Sequence, residues 1–300
     1  MPDVSDVDKD QAAYRVLAAA GGQAGVPISG AELIRDGVNV LYRLPGDIIA
    51  RIGPDGSRET ATRLLHTSHW LARTGIPAVQ ALDDIGQPTM VDNRPVTWWV
   101  SIPEHRYATP AELGTVLKRL HTLAPPLSPP LPVLDPFAGL DEALTAAATL
   151  SEHDRTWLKD LLKRLHREYA QLQSGSPRCV VHGDAWQGNV AVPADGVPVL
   201  LDLDNLGLGL REWDLIPLAV DLTDFARVTS SEYAAFVDAY GGYDVTTWPG
   251  YRTLATTTEL RWTAFALNKA STDSKTREQA HHRVACLKGE VRQPWSWTAL

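Results

Sequence analysis

The pattern of apolar positions changes period near residue 100. Before that point short runs rich in β-branched and aromatic residues dominate. Residues 38–52, VNVLYRLPGDIIARI, are two such runs parted by Pro45-Gly46-Asp47, the punctuation of a hairpin. Residues 57–73 interrupt them with Leu64, Leu65 and Leu71 at helical spacing, until Gly75-Ile76-Pro77 stops the helix. The stretch PVTWWVSIPEH, 95–105, reads as a buried strand leaving this first region. A short amphipathic helix over 11–20, closed by Gly21-Gly22, precedes them all.

Beyond residue 100 the helical period takes over. Thr109-Pro110-Ala111-Glu112 is a capping box with proline at the first helical position, and Leu113, Val116, Leu117 and Leu120 form the apolar face that follows. Ser151, with Asp154 three residues on, opens a helix over 151–173. Further helices are predicted over 211–223, 230–240, 248–269 and 276–289, and the closing PWSWTAL is expected to pack down on them. The proline-rich segment 124–136 must be extended and is expected to cross the surface. Strands first and helices after predict an α+β chain of two lobes, divided as 1–100 and 101–300.

Within the helical half, two apolar strands end in polar residues. VVHGDAWQGNV, 180–190, runs into His182, Gly183 and Asp184 and reaches Asn189; PVLLDLDN, 198–205, closes on Asp202 and Asp204. Ala194-Asp195-Gly196 is expected to join the two strands as a hairpin and bring their polar ends together. Metal-assisted phosphoryl transfer needs such a set: one carboxylate to take a proton from an attacking hydroxyl, an amide oxygen and a second carboxylate to hold Mg²⁺. Hard oxygen ligands suit magnesium, whereas zinc calls for Cys and His, of which this stretch offers one histidine.

Composition narrows the partners. A chain of 300 residues, 44% hydrophobic and 21% charged, is an ordinary globular protein. Its net charge of −8 and lack of a basic run argue against a nucleic-acid partner. Cys179 and Cys286 show no metal-type spacing, the acidic start MPDVSDVDKD is unlike a signal peptide, and no apolar run approaches a membrane span, so a cytoplasmic protein without membrane contact is expected.

HGDAWQGN has the form of the HGDxxxxN motif of the aminoglycoside phosphotransferase-like family, and LLDLDN resembles that family's metal-binding aspartate segment. VNVLYRL, IIARI, GIPAV, LGTVLKRLH and REWDL fall in the family's order, so the resemblance covers nearly the whole chain. It implies a protein-kinase-like two-lobed fold, with a small N-terminal antiparallel-sheet lobe for nucleotide and a larger helical lobe for catalysis and acceptor. The implied reaction moves a phosphoryl group from ATP or GTP to a hydroxyl of a small molecule, an antibiotic of aminoglycoside or nucleoside type. A choline, homoserine or hexosamine type of metabolite kinase is the alternative, and a non-catalytic pseudokinase-like nucleotide-binding module a further one. No oligomeric state is implied.

By the same resemblance Asp184 is the catalytic base, Asn189 and Asp202 hold Mg²⁺, His182 positions the loop, and Asp214 of REWDL props it from behind. Arg51 stands at the family's phosphate-contacting strand lysine; either Glu59 pairs with it or the usual partner is absent, since Leu64 occupies the aligned position. Gly37 and Asn39 fall where the family covers the nucleotide, and Val100 to Ile102 where its hinge meets the base, with Trp98 and Trp99 either core or stacking residues. Asp204 either orients the metal loop or joins Trp186, Asp221 and Glu259 as an acceptor-side candidate, with Asp224, Glu232 and Asp238 also available.

Overall fold

A computed structural model describes residues 4–173 and 177–298. In chain order it contains α1 (Val4–Ala24), β1 (Glu32–Arg35), β2 (Val40–Leu44), β3 (Ile48–Ile52), α2 (Arg58–Thr74), β4 (Thr89–Val91), β5 (Arg94–Val100) and β6 (His105–Tyr107). Then follow α3 (Pro110–His121), α4 (Leu140–Ala146), α5 (Glu152–Gln173), β7 (Cys179–Val181), β8 (Val190–Pro193), β9 (Val199–Leu200) and β10 (Gly207–Gly209). The chain closes with α6 (Glu212–Thr223), α7 (Ser230–Tyr240), α8 (Tyr251–Lys269) and α9 (Ser274–Leu287). The result is an α+β, two-lobed kinase-like fold with a small antiparallel sheet in one lobe and helices dominating the other.

One compact unit comprises Met1–Ala108 together with Pro126–Pro130 and Gly188–Asp204. Its main sheet runs β1-β2-β3-β5-β4, and every pairing is antiparallel. Alternation along β3 sends Ala50 and Ile52 into a core shared with Leu17 and Ala20 of α1 and with Trp98, which leaves Arg51 on the opposite face. Both tryptophans of β5 are buried. Trp98 Nε1 donates to Thr89 Oγ1 at 3.2 Å and Trp99 Nε1 to Thr97 Oγ1 at 2.8 Å, so each indole has its polar edge satisfied inside the unit. A second sheet, β6-β8-β9, belongs to the same unit.

The other unit comprises Thr109–Pro125, Leu131–Gln187 and Asn205–Leu300. Its capping box is formed as the sequence predicts: the Thr109 hydroxyl accepts from Glu112 N, and Glu112 returns the bond to Thr109 N at 2.8 Å. The apolar face of α3 is buried, with Leu117 and Leu120 fully so, each contributing about 2 kcal/mol of hydrophobic stabilisation. α3 lies against α7, and α8 packs on α4, α5, α6 and α9. At the carboxyl end Trp295 and Trp297 stack with ring centroids 5.5 Å apart and meet Phe225 edge-on, so this segment does pack down. Among the described residues no helix is long and apolar enough to cross a membrane.

Three elements depart from the sequence reading. α1 runs through Gly21-Gly22 to Ala24, and the left-handed turn falls at Gly25, φ 69°. Gly21 serves close approach instead, because a Cβ there would lie 2.6 Å from Ile28 Cγ2. The strand expected over 198–205 stops at Leu200, since Asp202 takes a left-handed φ of 45° and 203–205 form a single 3-10 turn. Finally, the turn at Gly196 joins β8 to β9, and the strand before His182 is a separate one, β7, paired with β10. Residues 182–189 leave β7 through a loop and a short 3-10 turn before β8 starts, so the hairpin begins only after Asn189.

Candidate active site

In the helical unit the site is built on the loop that leaves β7. Asp214, in the first turn of α6, is buried, and a buried carboxylate needs donors on its lone pairs. It has three. His182 N donates to Oδ2 at 2.6 Å, Gly183 N donates to Oδ1 at 2.9 Å, and His121 Nε2 lies 3.0 Å from Oδ2. The His121 imidazole is set in turn by Tyr240, whose hydroxyl is 2.8 Å from Nδ1. A carboxylate oxygen only accepts, so the neutral His121 ring accepts from the Tyr240 hydroxyl at Nδ1. Nε2–H is then the group given to Asp214.

Backbone shape completes the loop. Gly183 has φ 85°, and a Cβ on it would lie 2.4 Å from the carbonyl oxygen of Asn205. Only glycine fits there. The Gly183 carbonyl accepts from Trp213 Nε1 at 3.0 Å, so the peptide units on either side of Gly183 are both bonded to α6 residues. Asp184 N lies 3.4 Å from His182 Nδ1, and the Asp184 side chain is exposed. Arg261 of α8 belongs to the same neighbourhood: it lies over the Trp213 ring at 6.0 Å and donates to Pro136 O at 3.0 Å. Burial lowers its pKa, against the opposing charges of Asp184 and Asp135.

Further candidate residues lie in the sheet unit. Leu201 N donates to Asn189 O at 2.9 Å, which closes the β8–β9 hairpin and sets Asn189 and Asp202 at the same end of it. Asn189 is buried and Asp202 exposed. Arg51 Nη2 bonds Asp204 Oδ2 at 2.5 Å, and Asn39 Nδ2 reaches the same oxygen at 3.5 Å. Asp204 Oδ1 is buried, with no hydrogen-bond partner among the described residues. Glu59 is exposed in the first turn of α2, so the open question about Arg51 is answered by Asp204, a partner the sequence reading did not pair with it. Among the described residues no group of three or more His, Cys, Asp or Glu is arranged to hold a metal. An amide oxygen and a carboxylate at one hairpin end fit a hard cation that takes its remaining ligands from phosphates and water.

The remaining candidates are scattered. Gly37 lies in an exposed turn before β2. Val100 N donates to Gln80 O at 2.8 Å, and Ile102 lies two residues past the end of β5, partly buried. Trp186 is 49% exposed beside Asp184. Asp221 is bonded by Arg227 at 3.0 Å. Glu259 is buried and bonded by Arg252, which also holds Asp224 at 2.8 Å. Both acceptor-side acids of α6 and α8 thus already have cationic partners. His121, Trp213 and Arg261 were not singled out in the sequence. The local signals were the places of His121 at the end of LGTVLKRLH and of Trp213 beside Asp214 in REWDL.

Comparison with known proteins gives the class, a small-molecule phosphotransferase of kinase-like fold. The model of the phosphotransferase enzyme family matches residues 33–254, and the chain belongs to that family. Among solved structures it is similar to an amicoumacin kinase in complex with AMP-PNP, Ca²⁺ and Ami, at 14% identity and a TM-score of 0.74, over 98% of this chain and 99% of that one. It is also similar to aminoglycoside phosphotransferase APH(3'')-Id from Streptomyces rimosus with ADP and streptomycin, at 22% identity and a TM-score of 0.63, over 84% and 98% of the two chains. A choline/ethanolamine kinase family protein from Mesorhizobium loti shares 19% identity, with a TM-score of 0.62 and 88% of each chain covered. Comparison with curated protein sequences gave no match.

Proposed function

We propose that the protein transfers the γ-phosphoryl group of ATP or GTP to a hydroxyl of a small antibiotic, with Asp184 as catalytic base and Asn189 and Asp202 as ligands of Mg²⁺. The observation that carries this reading is the double anchorage of the Asp184 loop on Asp214, a carboxylate also held by His121 of α3, which keeps the backbone of His182 and Gly183 in one geometry. Residues 1–100 would carry the nucleotide, and residues 101–300 the catalytic loop and acceptor. Asp184 takes the proton as the acceptor oxygen attacks. His182 positions the loop through its backbone bond to Asp214. Arg51, oriented by Asp204, meets the phosphates as a planar fork. Gly37 and Asn39 would cover the nucleotide, and Ile102 and Val100 would flank the base; of the two amides, that of Val100 is already engaged with Gln80. Bound Mg²⁺ would neutralise charge on the phosphates.

For the acceptor, the pairing of Asp221 with Arg227 and of Glu259 with Arg252 favours a nucleoside-type or other sparsely charged molecule over a polycationic aminoglycoside. Trp186 offers an exposed aromatic face to such a ring. A choline, homoserine or hexosamine kinase is the second reading, which the likeness to the choline/ethanolamine kinase family protein supports at the level of fold. The experiment is an acceptor panel of aminoglycosides, nucleoside antibiotics, choline, homoserine and hexosamines, run with each triphosphate. Phosphorylation of an antibiotic is expected. Asp184→Ala should lower turnover about 10²- to 10⁴-fold while nucleotide-induced thermal stabilisation persists. Full activity in that variant would remove the base, and transfer to choline alone would replace the acceptor.

A further inference from the structure

A cavity of about 470 Å³ opens in the helical unit between the end of α3, the entry to β7 and the start of α6. That volume is within the range of small-molecule sites, roughly 300–1,000 Å³. Three cations line it, Lys118, Arg178 and Arg211, against one carboxylate, Glu212. Arg211 and Glu212 offset each other as an ion pair, with Arg211 Nε donating at 3.1 Å and the Tyr243 hydroxyl adding a bond at 3.0 Å, so the excess positive charge of the wall is that of Lys118 and Arg178. The thiol of Cys179, also in the wall, adds no negative charge, because burial, with Asp214 and Glu212 nearby, pushes it up to about 12. A cationic recess on a chain of net charge −8 concentrates anions locally.

The wall of this cavity is joined to the catalytic loop. His121 and Tyr240 both line it, and His121 Nε2 is 3.0 Å from the same Asp214 carboxylate that receives the His182 and Gly183 amides. We propose that the cavity is a second ligand site, taking a small molecule that carries a phosphate group, and that its occupant bears on the catalytic loop through His121 and Asp214.

Lys118 and Arg178 are exposed, so changing both leaves the core intact. The test is thermal unfolding of the full chain with inorganic phosphate titrated against chloride at constant ionic strength, alongside hydrogen exchange of residues 180–186. Phosphate should raise Tm by about 2–4 °C and slow exchange of the loop amides in the wild type and in Arg51→Met, but do neither in Lys118→Met/Arg178→Met. Arg51→Met separates this site from phosphate bound where a nucleotide would sit. The proposal is overturned if the wild type shows no phosphate-specific rise, if Arg51→Met abolishes it, or if the double variant retains it. A rise without slower loop exchange overturns the link to catalysis.

Discussion

Arg51 and Asp204 are 153 positions apart, yet they make the ion pair on which phosphate recognition would turn. A guanidinium holds its geometry only when its fork is anchored, and Asp204 supplies the anchor with both side chains largely screened from water. Asp204→Ala should therefore raise the KM for triphosphate about tenfold, roughly 1.4 kcal/mol of binding, with kcat little changed. Steady-state kinetics with the nucleotide varied checks this, and adding Arg51→Met to that variant should cost less than Arg51→Met alone. An unchanged KM in Asp204→Ala would make the pair structural. The sequence displayed Asp204 plainly in LLDLDN but not its partner, because a pairing across the fold leaves no local trace. The HGDAWQGN residues were legible because their spacing is itself the signal.

At the scale of elements, α8 carries a buried acid that should govern pH dependence. Burial, reinforced by the neighbouring carboxyl of Asp224, raises the Glu259 pKa from 4.5 to about 9 despite the bond from Arg252. Between those values the native state holds a proton that the unfolded chain has released, so the native state binds more protons and stability falls as pH rises. One such proton sets a ceiling of about 1.4 kcal/mol per pH unit. Tm should therefore drop by several degrees between pH 6 and pH 9, and Glu259→Gln should flatten the slope. An unchanged slope in the variant would assign the pH dependence to other groups. Helix periodicity predicted α8 itself and offered Glu259 as an acceptor-side acid, but a period of 3.6 residues does not say which polar side chain is drawn inward, and Glu259 is buried against Arg252. Elements with strong end signals were read well: the Thr109–Glu112 capping box opens α3 at Pro110 as expected. α4, seven residues without a side-chain cap, gave no such signal, and the halt of β9 depended on a left-handed residue that alternation does not encode.

For the whole molecule, the order of strands and helices gave an α+β chain of two lobes, the resemblance carried by HGDAWQGN and LLDLDN gave the kinase-like class, and the family match over residues 33–254 agrees. The sheet unit has a core that includes Leu17 and Trp98, and in the helical unit α3, α6 and α8 each bury apolar side chains. What the order of elements does not give is the grouping of Gly188–Asp204 with the sheet unit, which follows from β8 pairing with β6 and from Leu200 meeting Pro77 and Val79. The candidate metal ligands Asn189 and Asp202 thus share a unit with Arg51. The most direct measurement is thermal unfolding with the non-hydrolysable triphosphate AMP-PNP, with and without Mg²⁺, in the wild type and in Asp202→Ala. The account predicts that Mg²⁺ enlarges the nucleotide-induced rise in Tm for the wild type and leaves it unaltered in Asp202→Ala. Equal rises with and without the metal in the wild type would contradict it and favour a pseudokinase-like nucleotide-binding module.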